Sequence, residues 1–435
     1  MPRPAFVAAT ITLIASTALA GPLTPPAGAP SPTNKTLHAV EPRIPLADTG
    51  SVIIITQPGS YYLTESVSSS SRGVEIREGN VTLDLNGFAV TGSTGGASGI
   101  GILVTSGAFN EPVVIKNGFV SNFAGDGVTS SSTNVQLILD NVQVSICGIG
   151  FDLTCPAVAT NCAAIGNTSH GFNVPVYATL SNCMSRSNVG NGFEADAGSI
   201  TGCVAGNNGL NGFLVGQPAP EDAIVLSDCT AAVNSFDGFA GAGPAALQNC
   251  MAANNNSDGF TLALNSSLTN CLAIGNSSIG ISSGPGSALN NCTALSNSGT
   301  GINASTGSTL ANCASRTNGA AGFSLGAGSN ASHCTATSNT DNGFTLSSDC
   351  RVTFCNADQN AAIGIQGTSD TVIDSCSATD NVTGIVAGSG GLLIRSTAAG
   401  NTTANFNIGG ATYGPVITTG AGAVVTTNPF SNISF

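Results

Sequence analysis

Six residues in one stretch of the chain have the types that acid–base or metal chemistry requires: Asp152, His170, Glu194, Asp196, Glu221 and Asp222. Two carboxylates flanking a bond can serve as acid and base or as nucleophile, and an imidazole can carry a proton near neutrality. Clustered carboxylates can ligate a hard cation. Asp152, His170 and Glu194 are therefore the catalytic candidates, and Asp196, Glu221 and Asp222 the metal candidates. Ca²⁺ is the one cofactor such a patch would recruit; no other is expected. The competing reading is a solvated acidic face beside a loop, because isolated surface charges are ordinary. Which reading holds depends on the elements that bring these residues together.

Those elements are repeats. Cys162, Cys183, Cys203, Cys229, Cys250, Cys271, Cys292, Cys313, Cys334, Cys355 and Cys376 recur with eight of ten intervals equal to 21 residues. Five places after each cysteine stands an asparagine, from Asn167 to Asn381, and nine to ten places after it stands Gly-Phe or Gly-Ile. Before the cysteine a Leu-x-Asn pattern recurs, as in Leu180-Ser-Asn182 and Leu268-Thr-Asn270. A period near 20 residues means a solenoid, with leucine-rich repeats the main rival. These units hold one leucine each and are rich in Gly, Ser, Asn and Thr, which form helices poorly. Cysteine and the residue two beyond it share one strand face. Pairs such as Asn191-Gly192, Asp237-Gly238 and Asn342-Gly343 are expected to supply the turns.

The expected fold is all-β, a right-handed parallel β-helix of about 14 coils stacked about 4.8 Å apart, on the order of 65 Å long. Stacking turns each repeated residue into a ladder. The asparagine amides are expected to bond from coil to coil at a buried bend, and the cysteines to fill space as small apolar groups. The expected boundaries are a signal peptide at 1–20, a Pro-rich linker at 21–45, the β-helix at 46–410 with an N-terminal cap at about 46–75, and a C-terminal cap at 411–435. In this register Asp152, Asn173 and Glu194 follow the Gly-Phe step in three successive coils and face outward, with Asp152 and Glu194 about 10 Å apart. That exceeds slightly the carboxylate spacing of inverting glycosidases. The interval from Cys203 to Cys229 carries five extra residues, an insertion containing Glu221 and Asp222.

Thr56-Gln-Pro-Gly59-Ser-Tyr61-Tyr-Leu63, Val81-Thr-Leu-Asp-Leu-Asn-Gly-Phe88 and the later Asn/Gly coils together resemble bacterial secreted right-handed parallel β-helix repeat proteins of the pectin-lyase-like superfold. The likeness spans roughly residues 40–410. It implies the fold and little chemistry, since one fold hosts many functions. Polygalacturonases of this superfold would bring paired aspartates, Gly-His-Gly and Arg-x-Lys; Ser169-His170-Gly171 is the nearest fragment here. Pectate lyases would bring Ca²⁺-binding aspartates and a basic proton acceptor. Of the basic residues placed in regular coils, Arg186, Arg316, Arg351 and Arg395, none stands among several carboxylates.

Arg3, the apolar run Ala5–Ala15 and Ala18-Leu-Ala20 read as an export signal, and no later stretch is expected to span a membrane. The protein is thus expected to be secreted or held at the cell surface. A net charge of −13 with ten Lys and Arg excludes a basic groove, and so excludes nucleic acid as a partner. Export permits disulfides, but ladder neighbours about 4.8 Å apart fit a bridge poorly. Cys147, Cys155 and Cys350, outside the ladder, are the better disulfide candidates, although Cys147 also fits as a buried substitute in the asparagine column. The expected function is a non-catalytic structural, adhesive or glycan-contacting role, with extracellular polysaccharide or cell-surface components as partners. The alternative is a polysaccharide lyase or glycoside hydrolase using the acidic patch.

Overall fold

Each coil is built from three short strands because its sequence supplies three alternating segments separated by residues that tolerate sharp bends. In the coil led by Phe151 they are Phe151–Leu153, Ala157–Thr160 and Ala163–Ile165. Phe151, Leu153, Ala157, Ala159, Cys162 and Ala164 point inward and are buried. Equivalent strands of successive coils pair in parallel, so the chain winds into three sheets around one core. The computed structural model describes residues 41–93, 99–105, 111–174, 177–216, 224–419, 424 and 426–435. The signal peptide expected at 1–20, most of the linker expected at 21–45, and Glu221 and Asp222 lie outside the described residues. The coiled unit spans Arg43–Phe435.

The first sheet is a ladder of seventeen parallel strands, from Ile53–Ile55 to Ala404–Ile408. The described residues therefore form about 17 coils rather than 14, and at about 4.8 Å per coil the ladder runs roughly 77 Å. The additional first-sheet strands are Ile53–Ile55, Val74–Ile76 and Ile102–Val104. Residues 46–75, expected as a cap, thus carry strands in register with later coils. They escaped the repeat count because Ile and Val stand where later coils have Phe, and their coils lack the cysteine and asparagine columns. At the other end, Thr412–Tyr413 and Asn432–Ser434 pair with the last strands of the second and third sheets.

The buried asparagine column is the most fully bonded feature. Asn276 Oδ1 accepts the backbone N–H of Asn255 at 3.0 Å and its side-chain Nδ2 at 3.0 Å, while Asn276 Nδ2 donates to Asn297 Oδ1 at 2.9 Å and to the Ala252 carbonyl at 3.2 Å. The pattern repeats along the column. It ends where Asn401 Nδ2 donates to Asn405 Oδ1 at 2.8 Å and Asn405 Nδ2 donates to Ser434 Oγ at 2.9 Å. Inside, Phe151, Phe172, Phe193, Phe213, Phe239 and Phe260 stack with ring centroids 4.6 to 4.8 Å apart.

The turns arise differently from the expectation. The residue that precedes each ladder cysteine adopts the left-handed backbone, and in six coils it is asparagine: Asn161, Asn182, Asn249, Asn270, Asn291 and Asn312 have φ between 53° and 56°. Asparagine tolerates that conformation better than most residues. The Asn-Gly and Asp-Gly glycines do not make a left-handed turn; they permit close approach. A Cβ on Gly259 would lie 2.5 Å from the Gly280 carbonyl oxygen and 2.7 Å from Asn276 Nδ2. Glycine is there so that the buried amide can sit against the bend.

All fourteen cysteines are free and buried. This corrects the disulfide expectation for Cys147, Cys155 and Cys350, each of which fills core space in place of a bridge. Burial pushes the Cys147 thiol up to about 11 and raises those of Cys155 and Cys350. Ladder thiols bond to backbone carbonyls, as Cys271 does to Leu247 and Thr269.

Two outcomes follow for stability and reactivity. Asn276→Ala should cost about 2 to 4 kcal/mol, because it strips partners from buried N–H and C=O groups. Asn291→Gly, at an exposed left-handed bend, should change stability by less than about 0.5 kcal/mol. Urea unfolding followed by circular dichroism separates the two; equal losses would contradict the assigned roles. A thiol-specific chromogenic reagent should label none of the fourteen cysteines in native protein and all of them in guanidinium, since only exposed thiolates react.

Candidate functional site

The outward column of the first sheet places Asp152, Asn173 and Glu194 side by side: Asp152 pairs with Asn173, and Asn173 with Glu194. Strand alternation forces this, since Phe and the residue two beyond it are buried and the residue between them must face out. The two carboxylates are thus separated by one intervening strand, as the register implied. Asn173 fills the gap, its Nδ2 donating to Asp152 Oδ1 at 2.7 Å.

His170 sits at the bend that enters the strand Phe172–Val174 and reaches the next coil. Its Nδ1 lies 3.1 Å from the Asn191 backbone nitrogen and 3.3 Å from Glu194 Oε2. The Asn191 N–H needs an acceptor, so Nδ1 is unprotonated in this geometry and the ring hydrogen is on Nε2. The Glu194 contact is then not an ion pair. Glu194 Oε2 instead accepts from Asn191 Nδ2 at 2.9 Å. Asp196 is partly buried just beyond the strand Phe193–Ala195. Its expected partners Glu221 and Asp222 fall outside the described residues; among the described candidates, Asp152 and Glu194 share one column and His170 lies beside Glu194. Among the described residues no group of three or more His, Cys, Asp or Glu side chains converges as a metal site.

Sequence reasoning missed Asp126. It occupies the same bend column as His170, two residues before the buried residue that opens the strand, and its Oδ1 accepts the Ile149 N–H at 3.0 Å. Burial raises its pKa, the Ile149 hydrogen bond opposes that rise, and the nearby charge of Asp152 adds to it. The column is in fact a second polar ladder. Asn211 N–H donates to Asn191 Oδ1 at 3.0 Å, Asp258 N–H to Asp237 Oδ1 at 3.0 Å and Ile279 N–H to Asp258 Oδ1 at 2.8 Å. The signal was available: these polar residues all stand two places before Phe or its replacement.

The outward column also continues upstream from Asp152 through Thr129 and Leu103 to Glu75. Glu75 is clamped by Arg77 Nε at 2.8 Å and Arg72 NH1 at 3.0 Å. The hydrogen bond from Arg77 holds its carboxyl below the usual range against the opposing effect of burial, with Arg72 assisting. Basic residues therefore do stand by this column, about 14 Å from Asp152 by strand spacing, and both are engaged with Glu75.

Comparison with known proteins adds the fold and nothing finer. The A-module of Azotobacter vinelandii mannuronan C-5 epimerase AlgE4 is similar at 14% identity, covering 87% of this chain and 91% of that one with a TM-score of 0.38. Pectate lyase Pel9A is similar at 16% identity over 55% of this chain and 71% of its own, also with a TM-score of 0.38. Bacteriophage CBA120 tailspike protein 3 is similar at 11% identity over 82% of this chain and 54% of its own, with a TM-score of 0.27. At such scores no residue of those proteins maps onto a residue here. No curated protein matches the sequence. Residues 221–358 match the family model described as "Right handed beta helix region". With seventeen coils of parallel strands around one core, the chain is a right-handed parallel β-helix protein.

Proposed function

We propose that the chain is a surface or extracellular contact element whose first-sheet face meets glycan or cell-surface material without chemically altering it. One observation carries this reading: each acid–base group on that face already accepts a hydrogen bond, three of them from the next coil and Glu194 from its own. Asp126 and His170 accept backbone N–H groups of the next coil, and Asp152 and Glu194 accept side-chain amides of Asn173 and Asn191. Each group thus has one polar atom committed to the frame of the rod. The placement outside the cytoplasm rests on the export signal read at the N-terminus.

A second reading, polysaccharide processing, is favoured by Asp126 and Asp152. A carboxyl whose pKa burial raises, set near a second carboxyl, is the kind of pair from which an acid and a base can be drawn. Ca²⁺ would enter only with this reading, at the acidic face. The purified protein incubated with a polysaccharide panel, with and without added Ca²⁺, should release neither reducing ends nor unsaturated uronate. Turnover that an Asp152→Ala/Glu194→Ala double variant loses would overturn the contact reading and establish the second.

The raised pKa of Asp126 also sets a pH signature. Folded Asp126 holds its proton more tightly than the unfolded chain does. Its stabilising contribution is therefore complete below the ordinary value of 3.8 and is lost as pH rises through the folded value. Asp126→Asn keeps an oxygen for the Ile149 N–H and removes the buried charge. Its melting temperature should exceed that of the native protein at neutral pH, and the difference should vanish below 3.8. A gain that persists at acid pH would mean the charge is not the cause.

A further inference from the structure

The outward face of the third sheet differs from the other two. Its strands turn out the residues one and three places after each cysteine, and over successive coils these include Ile165, Met184, Val204, Met251, Ile274 and Leu295. Met184 and Val204 are 38% and 44% exposed. The second sheet shows mostly Ser, Thr, Asn and Ala outward, and the first sheet is polar. Around Arg186 the face dips into a depression of 470 Å³, where Gly206 and Ala232 follow it in the same column and Val233 forms the rim. Val233 holds a left-handed φ of 60°, a conformation unfavourable for a β-branched residue. It is also 56% exposed, so no burial offsets that cost.

The charges on this face have a symmetry. Between Arg186 and Asp358 the two outward columns carry one other charge, Arg316. Register runs from Arg186 through Gly206, Ala232 and Ala253 to Ile274 in four steps. It runs from Ile274 through Leu295, Arg316 and Thr337 to Asp358 in four more. Arg186 and Asp358 are therefore equidistant from Ile274, each about 19 Å away. Among the described residues neither Arg186 nor Asp358 has an ion-pair partner, whereas Arg43, Arg72, Arg77 and Arg395 each pair with a carboxylate.

We infer that this face binds a second copy of the chain, antiparallel, about a two-fold axis at Ile274. Such an axis sets Arg186 of each copy opposite Asp358 of the other, and places Arg316 against Ala232. A parallel pairing would instead oppose like charges. Side chains repeating every 4.8 Å or so interdigitate best with a surface of the same period, which the same rod provides. An isologous contact of this kind is the commonest symmetry of homo-oligomers. The strip from Arg186 to Asp358 is about 38 Å long. It reaches the roughly 800 Å² per partner of a stable interface if about 20 Å of width is buried. That width is the strand plus its flanking bends, where Val189, Leu210 and Phe236 are exposed.

Light scattering and analytical ultracentrifugation of the full purified chain test this. The native protein should be a dimer. Arg186→Asp should weaken dimerisation by about tenfold or more, and the charge-exchanged Arg186→Asp/Asp358→Arg should restore it. Ile274→Asp, on the axis, should give a monomer with an unchanged circular-dichroism spectrum. Arg186 is exposed, so its variants remain informative if Ile274→Asp unfolds the coil. A native chain that stays monomeric up to about 100 µM, or a dimer that ignores Arg186→Asp, would overturn the inference, as would a charge exchange that restores nothing.

Discussion

The buried amide of each coil, bonded to the coils above and below, is the interaction on which the rest depends. Parallel strands satisfy their own backbone, but the bends between them do not, and a buried N–H without a partner costs as much as a lost hydrogen bond. The asparagine column solves this once per coil, as when Asn234 Oδ1 accepts both the Asn208 N–H and its Nδ2. The neighbouring columns are then constrained. The bend beside the amide has no room for a Cβ, so Gly238 and Gly259 stand there. The residue two after the cysteine must be small, and it is mostly Ala, with Ser in the coils of Ser185 and Ser315. In those two coils the serine hydroxyl takes up part of the adjacent amide's bonding, Asn188 Nδ2 donating to Ser185 Oγ at 2.9 Å.

The same logic explains why the most chemical-looking side chains are engaged. A bend entering the first sheet presents one N–H per coil to the coil before it, and any Asp, Asn or His at that column is recruited as acceptor. His170 and Asp126 meet that need just as Asn191 and Asn211 do. One outward column further, a carboxylate in every coil would set like charges about 4.8 Å apart. Asn173 between Asp152 and Glu194 removes that repulsion and bonds to Asp152. A ladder fold thus converts isolated polar residues into structural links unless the coil geometry leaves one unengaged.

What was legible in the sequence follows from which columns repeat. The cysteine, asparagine and Gly-Phe columns recur almost without exception, so strand positions, inward faces and the buried amide ladder could be read directly. The three earliest strands of the first sheet could not, because Ile and Val stand where later coils have Phe and no cysteine or asparagine column marks them, so the identities change while the geometry persists. The role of the residue before each ladder cysteine was hidden for a different reason: a left-handed φ is a backbone property, and Gly202, Asp228, His333 and Phe354 share it without sharing chemistry. Asp126 was missed because its column mixes Asp, His, Asn, Ile and Ala and shows no consensus. Only its Asp, His and Asn members share a feature, an accepted N–H from the next coil.

A rod whose interior is fixed column by column leaves its outward positions nearly free of folding constraint, since each coil's stability depends on itself and its neighbours. On such a surface Ser, Thr, Asn and Ala are the default, and departures from them carry the information. The first sheet departs toward carboxylates, and Glu75, Asp152 and Glu194 are each held by neighbouring side chains, from Arg77 and Arg72, Asn173 and Asn191. The second sheet departs little until its ends. The third sheet departs toward Met, Val, Leu and Ile in six of the seven coils from Cys162 to Cys292, and no coil-to-coil bond explains that choice, because the inward residues already complete the core. Apolar groups kept half-exposed in register, bounded by an unpaired cation and an equally distant carboxylate, are better explained by a second surface than by the rod itself.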